Sequence, residues 1–97
     1  MNKTEASLYE VLSLQKATGQ LVWVEYERIT FKLGPDCRYT PDFDVLTDAG
    51  TLMFYDAKGT FATEDAVVKI KAAAEMFPFF TFYLAVKGRD GWDFREI

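Results

Sequence analysis

The sequence predicts an α/β domain, a mixed β-sheet flanked by two helices in the order α-β-β-β-α-β-β. Three observations predict it. Two segments, 4–18 and 63–78, space their apolar residues with helical periodicity. The intervening and following runs are rich in Val, Phe, Tyr and Thr and alternate or are continuously apolar, as strands do. The second helical segment falls between the third and fourth strands, so those two need a crossover and one part of the sheet runs parallel.

Each element has its own signal. In "TEASLYEVLSLQKAT", Leu8, Val11, Leu12 and Gln15 share one helical face, and Gly19 ends the pattern. "LVWVEYERITFKL", residues 21–33, reads as strand, but its alternation changes phase. Val22, Val24 and Tyr26 share one parity while Ile29, Phe31 and Leu33 share the other, which implies a bulge or break near Glu27. "GPDCRYTP" reads as a loop. Residues 42–58 then form a hairpin around Asp48-Ala49-Gly50, a type I turn closed by a glycine in the left-handed region.

"TEDAVVKIKAAAEMFP" opens on Thr63 as N-cap, places Glu64 and Asp65 in the first turn, and stops at Pro78. Its buried stripe is Ala66/Val67, Ile70, Ala73/Ala74 and Phe77, with Lys69 and Lys71 about 100° to either side of Ile70. "FFTFYLAV" is a buried strand, "KGRDG" a turn and "WDFREI" a final edge strand. The aromatic run Phe77, Phe79, Phe80, Phe82 and Tyr83 reads as core rather than as a platform for stacking bases.

Composition narrows the chemistry. The 97 residues suit one domain, 1–97, and 49% are apolar. No apolar run approaches a membrane span, and "MNKTEASLYE" is too polar for a signal peptide, so the expected location is cytoplasmic. The absence of histidine excludes His-based zinc sites, Ser-His-Asp triads and imidazole bases. The single thiol, Cys37, can form no intrachain disulfide and has no histidine to activate it, which favours a passive role. A net charge of −4 does not draw phosphate backbones, so binding to nucleic acid requires a local basic patch or bound cations.

The hairpin concentrates what chemistry remains. With 48–50 as its loop, Thr47 pairs with Thr51, and Asp42 falls opposite Asp56. Opposed side chains in an antiparallel pair have Cβ atoms about 4.5–5.5 Å apart. Two ionised carboxylates at that spacing repel unless a proton or cation lies between them. Lys58 projects from the same face as Asp56. Mg²⁺ and similar hard cations take one or two carboxylates plus substrate phosphate, and a lysine beside them can orient water and offset charge on phosphorus.

Pro41-Asp42, thirteen residues, then Asp56-Ala57-Lys58 resembles the PD-(D/E)xK nuclease motif. The element order is similar to that superfamily's restriction-endonuclease-like core. "NKTEA", "CRYTPDF", "DAKG" and "VKIKAAAEMFPF" resemble small phage and prophage proteins assigned as nuclease-like, over nearly the whole chain. The resemblance implies Asp42 and Asp56 as metal ligands, with the Ala57 carbonyl as another, and Lys58 as the catalytic lysine. It further implies Glu5 as the helical acid that ligates or orients a metal, with Glu10 the alternative. The family usually places Glu where this chain has Asp56, a shorter side chain that bears on metal choice.

The expected function is therefore Mg²⁺- or Mn²⁺-dependent hydrolysis of DNA in a phage-infected cell or bacterial host. Arg38, Lys69 and Lys71 are candidate contacts to the DNA backbone, and Tyr39 could act beside Arg38 or pack the loop. Glu27 reads as a solvated strand acid unless the bulge turns it inward. Lys69 is also placed to pair with Asp65 at i,i+4. The competing expectation is a nuclease-like module that binds DNA or a protein partner without cutting. The chain is small and acidic, and a homodimer, a branched substrate or a partner could supply the missing grip.

Overall fold

Asn2 starts the first helix by a reciprocal cap. Its side chain accepts from the Glu5 N–H while the Glu5 carboxylate accepts from the Asn2 N–H, both at 2.8 Å. In this computed structural model, which describes residues 1–59 and 64–97 (Glu64 by its backbone alone), helix α1 spans Lys3–Ala17. It ends at Thr18, followed by Gly19 at φ 89°. The strands are β1 (Leu21–Tyr26), β2 (Phe31–Gly34), β3 (Cys37–Tyr39), β4 (Phe43–Thr47) and β5 (Leu52–Lys58). Helix α2 (Glu64–Met76), β6 (Thr81–Gly88) and β7 (Gly91–Glu96) complete the chain. The cap expected at Thr63 lies outside the described residues.

The architecture is α/β with a mixed sheet and two helices, but the order is α-β-β-β-β-β-α-β-β, not α-β-β-β-α-β-β. The expected strand 21–33 is two strands, and the expected loop 34–41 contains a third. The main sheet has the order β1-β4-β5-β6-β7, with β5 and β6 parallel and the other neighbours antiparallel. β2 and β3 form a separate two-stranded ribbon.

The change of phase at Glu27 is a change of core. Val24 and Tyr26 pack with Leu8, Leu12 and Phe43 on the α1 face. Ile29, Phe31 and Leu33 pack with Phe54, Ile70 and Phe82 on the α2 face. Between them Glu27 takes φ 48°, and the chain turns out of the sheet. A left-handed non-glycine residue costs about 1–3 kcal/mol and persists only where its surroundings hold it. Here the Glu27 N–H donates to the Asp42 carbonyl at 2.9 Å, and the Arg28 and Ile29 N–H groups donate to Asp44 Oδ2 at 2.9 and 3.1 Å. The true register shift of β1 lies between Leu21 and Trp23, which turns Val22 outward, 54% exposed, instead of inward with Val24.

The hairpin register follows the expected pairing, Phe43 with Tyr55 through Leu46 with Leu52. Gly50 sits at φ 88° and its N–H donates to the Thr47 carbonyl. Helix α2 buries Ile70 and Ala73 completely, with Val67, Ala74 and Phe77 alongside. Phe77, Phe80 and Phe82 join the core through ring contacts with Phe31, tilted for Phe77 and edge-on for the other two, but Phe79 is 74% exposed at the turn into β6 and is not core. Fully burying each large apolar side chain contributes about 1.5–3 kcal/mol, so Phe43, Phe54 and Phe82 dominate the two cores. Among the described residues no helix is long and apolar enough to cross a membrane.

Candidate active site

The topology brings four chain segments to one end of the sheet. The carboxyl end of β5 carries Asp56 and Lys58, and the antiparallel β4 begins beside it after Asp42. β1, antiparallel to β4, ends there at Tyr26 and Glu27, and the amino end of α1 brings Glu5. The carboxyl ends of parallel strands are where open α/β sheets place their ligands.

Asp42 is the hub. Its Oδ2 accepts from the Ala57 N–H at 2.8 Å, which locks the two strands together at the motif. The carboxyls of Asp56 and Glu5 stand beside it and act on its affinity for a proton. Burial first, then the hydrogen bond and negative charge of Asp56, push the Asp42 carboxyl up to about 8, while the Ala57 N–H pulls the other way. Asp42 is therefore harder to ionise than an ordinary aspartate.

Asp56 is buried, and both its oxygens are engaged. Tyr39 OH donates to Oδ2 at 3.2 Å, and Lys58 Nζ lies 3.4 Å from Oδ1. Tyr39, expected either to meet substrate or to pack the loop, is itself buried and positions Asp56. Burial and the Asp56 charge hold its hydroxyl well above the ordinary tyrosine range, so it remains a donor. Lys58 is about one-third exposed and faces an open cleft of about 280 Å³.

Glu5 is buried at the amino end of α1. Burial raises its carboxyl, but the Asn2 N–H, the Asp42 proton and Tyr26 OH at 3.0 Å outweigh that and bring it below the usual carboxylate value. The first-turn acid thus serves two ends at once, as a helix cap and as a neighbour of Asp42. Glu10 is exposed and stands outside this group. Glu27 is exposed, as a solvated acid would be, yet its carboxylate reaches the edge of this group. Ligand oxygens of Glu5, Glu27 and Asp42 all lie within 4.8 Å of one another.

The expected phosphate contacts separate. Arg38 and Lys69 line the same cleft as Asp42, Asp56 and Lys58, and Lys69 Nζ donates to the Arg38 carbonyl at 3.3 Å. Lys69 forms no ion pair with Asp65 within 4 Å, because it reaches across to β3 instead. Lys71 is exposed and does not line the cleft. Cys37 is exposed on β3.

Asp44 was missed by sequence reasoning. It is completely buried, burial raises its carboxyl, and Oδ2 takes the two N–H groups that follow Glu27. Oδ1 is buried with no hydrogen-bond partner among the described residues. The available signal was "DFD", an acid at the inward position of a buried strand two residues after Asp42. No family model, no curated protein and no solved structure matches this chain.

Proposed function

We propose that the chain is a metal-dependent phosphodiesterase acting on DNA, with Mg²⁺ or Mn²⁺ as cofactor and a restriction-endonuclease-like core. The observation that carries this reading is Asp42, a half-buried carboxyl wedged between Asp56 and Glu5 and pushed up to about 8. Such a group keeps either a proton or a cation, and nothing in a purely structural sheet end calls for three acids there.

The donor set suits a hard cation: carboxylate oxygens only, those of Glu5, Glu27 and Asp42 within 4.8 Å of one another. Glu5, Glu27 and Asp42 would hold the ion, with Asp56, which stands outside that close group, and the Ala57 carbonyl as further ligands. When bound, a divalent ion polarises a phosphate oxygen and lowers the pKa of a water. Lys58 orients the attacking water and offsets negative charge as it builds on phosphorus. Tyr39 keeps Asp56 aimed into the cleft, and Tyr26 does the same for Glu5. Arg38 and Lys69 receive the backbone of the substrate from the α2 side.

A second reading, binding without cleavage, draws on how fully these acids are already satisfied within the protein. Glu5 Oε1 takes two donors, and Asp56 takes Tyr39 and Lys58. Incubating the purified protein with single-stranded, duplex and branched DNA separates the readings. Cleavage with Mg²⁺ or Mn²⁺ that disappears with chelator supports the nuclease. Binding without cleavage in any metal supports the module.

A further inference from the structure

We propose that a second cleft, on the opposite side of the β5 end from Arg38 and Lys69, is a subsite for a backbone phosphate of the nucleic-acid strand. This rests on the nuclease reading for its place in catalysis but not for the binding itself. The cleft is lined by Thr4, Gly59, Lys87, Gly88 and Arg89 and encloses about 510 Å³.

Its position follows from the parallel register. Lys58 pairs with Val86, so Gly59 and Lys87 are the next residues on two neighbouring strands. Successive side chains alternate faces, and Lys87 accordingly points away from the Lys58 cleft. Its Nζ donates to Ser7 Oγ on α1 at 2.9 Å. The two clefts therefore open on opposite faces of the sheet, and the end of β5 with Lys58 lies between them.

The chemistry of the lining selects an anion. Lys87 and Arg89 are exposed, and among the described residues neither pairs with a carboxylate. In a chain of net charge −4, two adjacent unpaired cations form a local basic patch of the kind phosphate binding needs. Asp90, next along the chain, lines a neighbouring hollow with Asp93 and Arg95, which Arg89 also borders. Thr4 adds a hydroxyl from the first turn of α1. A Cβ built on Gly59 would meet nothing within 4 Å among the described residues, so they leave its backbone open to close approach. A strand crossing the end of β5 would then present one phosphate to Lys58 and a neighbouring phosphate to Lys87 and Arg89.

The test compares wild type with a Lys87→Gln/Arg89→Gln variant, whose glutamine at 87 can still donate to Ser7. Binding of a labelled single-stranded oligonucleotide is measured in chelator across a salt series, and melting temperature checks the fold. The expected result is weaker binding and a salt slope shallower by about 0.7, one phosphate contact on a single strand. Arg89→Lys should keep the wild-type slope. In cleavage assays the double variant should raise KM and leave kcat unchanged.

If wild type cuts nothing in any metal but the slope still falls, the subsite stands and the nuclease reading fails. If wild type cuts while the variant keeps its slope and KM, the subsite is overturned and the nuclease reading stands. Oligonucleotide binding by wild type with no salt dependence also overturns it. So does inorganic phosphate that stabilises wild type but not the variant while oligonucleotide binding is unchanged, since the cleft then serves free phosphate.

Discussion

Two aspartates, two residues apart, flank the first residue of β4, one at the mouth of the cleft and one at the corner behind it. Asp44 is the more deeply buried, yet it has what a buried carboxylate needs from the backbone: two N–H donors on one oxygen. Asp42 receives one N–H and is crowded by two further carboxyls. The first arrangement stabilises a left-handed corner at Glu27. The second holds negative charge in a place where only a proton or cation relieves it. Burial alone does not mark a functional acid; the identity of its neighbours does.

The contrast is most easily broken by removing each charge in turn. Asp42→Asn should reduce metal-dependent cleavage to background, since a neutral amide is a poor ligand for Mg²⁺. It should leave the metal-free fold at least as stable as wild type, because the amide can donate to Asp56 and Glu5 and still accept from Ala57. A large loss of stability in this variant would place Asp42 in the same class as Asp44.

Asp44→Ala should do the reverse. Leaving the Arg28 and Ile29 N–H groups without an acceptor should cost about 2–4 kcal/mol, read by denaturant unfolding, with the same loss in metal and in chelator. Asp44→Asn, which keeps one acceptor oxygen, should lose less. A loss in Asp44→Ala that vanishes on adding metal would make it a ligand instead of a clamp.

Tyr39→Phe sharpens the boundary between the two roles. It removes the donor to Asp56 Oδ2 and fills the same volume, so stability should change little while activity falls about 10-fold, as outer partners of metal ligands do. Steady-state kinetics at saturating metal, and again at limiting metal, check this.

A further test concerns pH in the metal-free protein. The Asp42 carboxyl sits at about 8 when folded, against an ordinary 3.8. The folded state therefore retains a proton that the unfolded chain releases. The stabilisation this brings is complete below about pH 4 and is lost as pH rises through about 8. Melting temperature in chelator should fall across that window, and Asp42→Asn should flatten the fall. Asp44, also raised by burial, leaves some slope in the variant.

Much of this was legible in the chain. Asp48-Ala49-Gly50 specifies one loop, and one loop specifies the register that brings Asp42 to Asp56. Leu8 and Leu12, and Ile70 and Ala73, identify the buried faces of both helices because burial follows their 3.6-residue period. The parity change after Tyr26 announces a switch, though not that it carries the chain from one core to the other. β3 was not legible. Cys37–Tyr39 has too few residues to show alternation, and it becomes a strand only because the Glu27 corner delivers β2 beside it. The left-handed backbone of Glu27 was hidden for the same reason, since it is held by Asp42 and Asp44 from 15 to 17 residues away. Local propensity carries no trace of a partner that distant.

The central claim is that Asp42 and its neighbours hold a divalent cation. The most direct measurement is the melting temperature of wild type and Asp42→Asn in Mg²⁺ or Mn²⁺ and in chelator. Free metal at ten times its dissociation constant should stabilise wild type by about 1.4 kcal/mol, which for a domain of this size is roughly 5–10 °C. Asp42→Asn should melt at the same temperature in metal and in chelator. A wild type indifferent to metal, or an Asp42→Asn variant that keeps the full shift, would contradict the account.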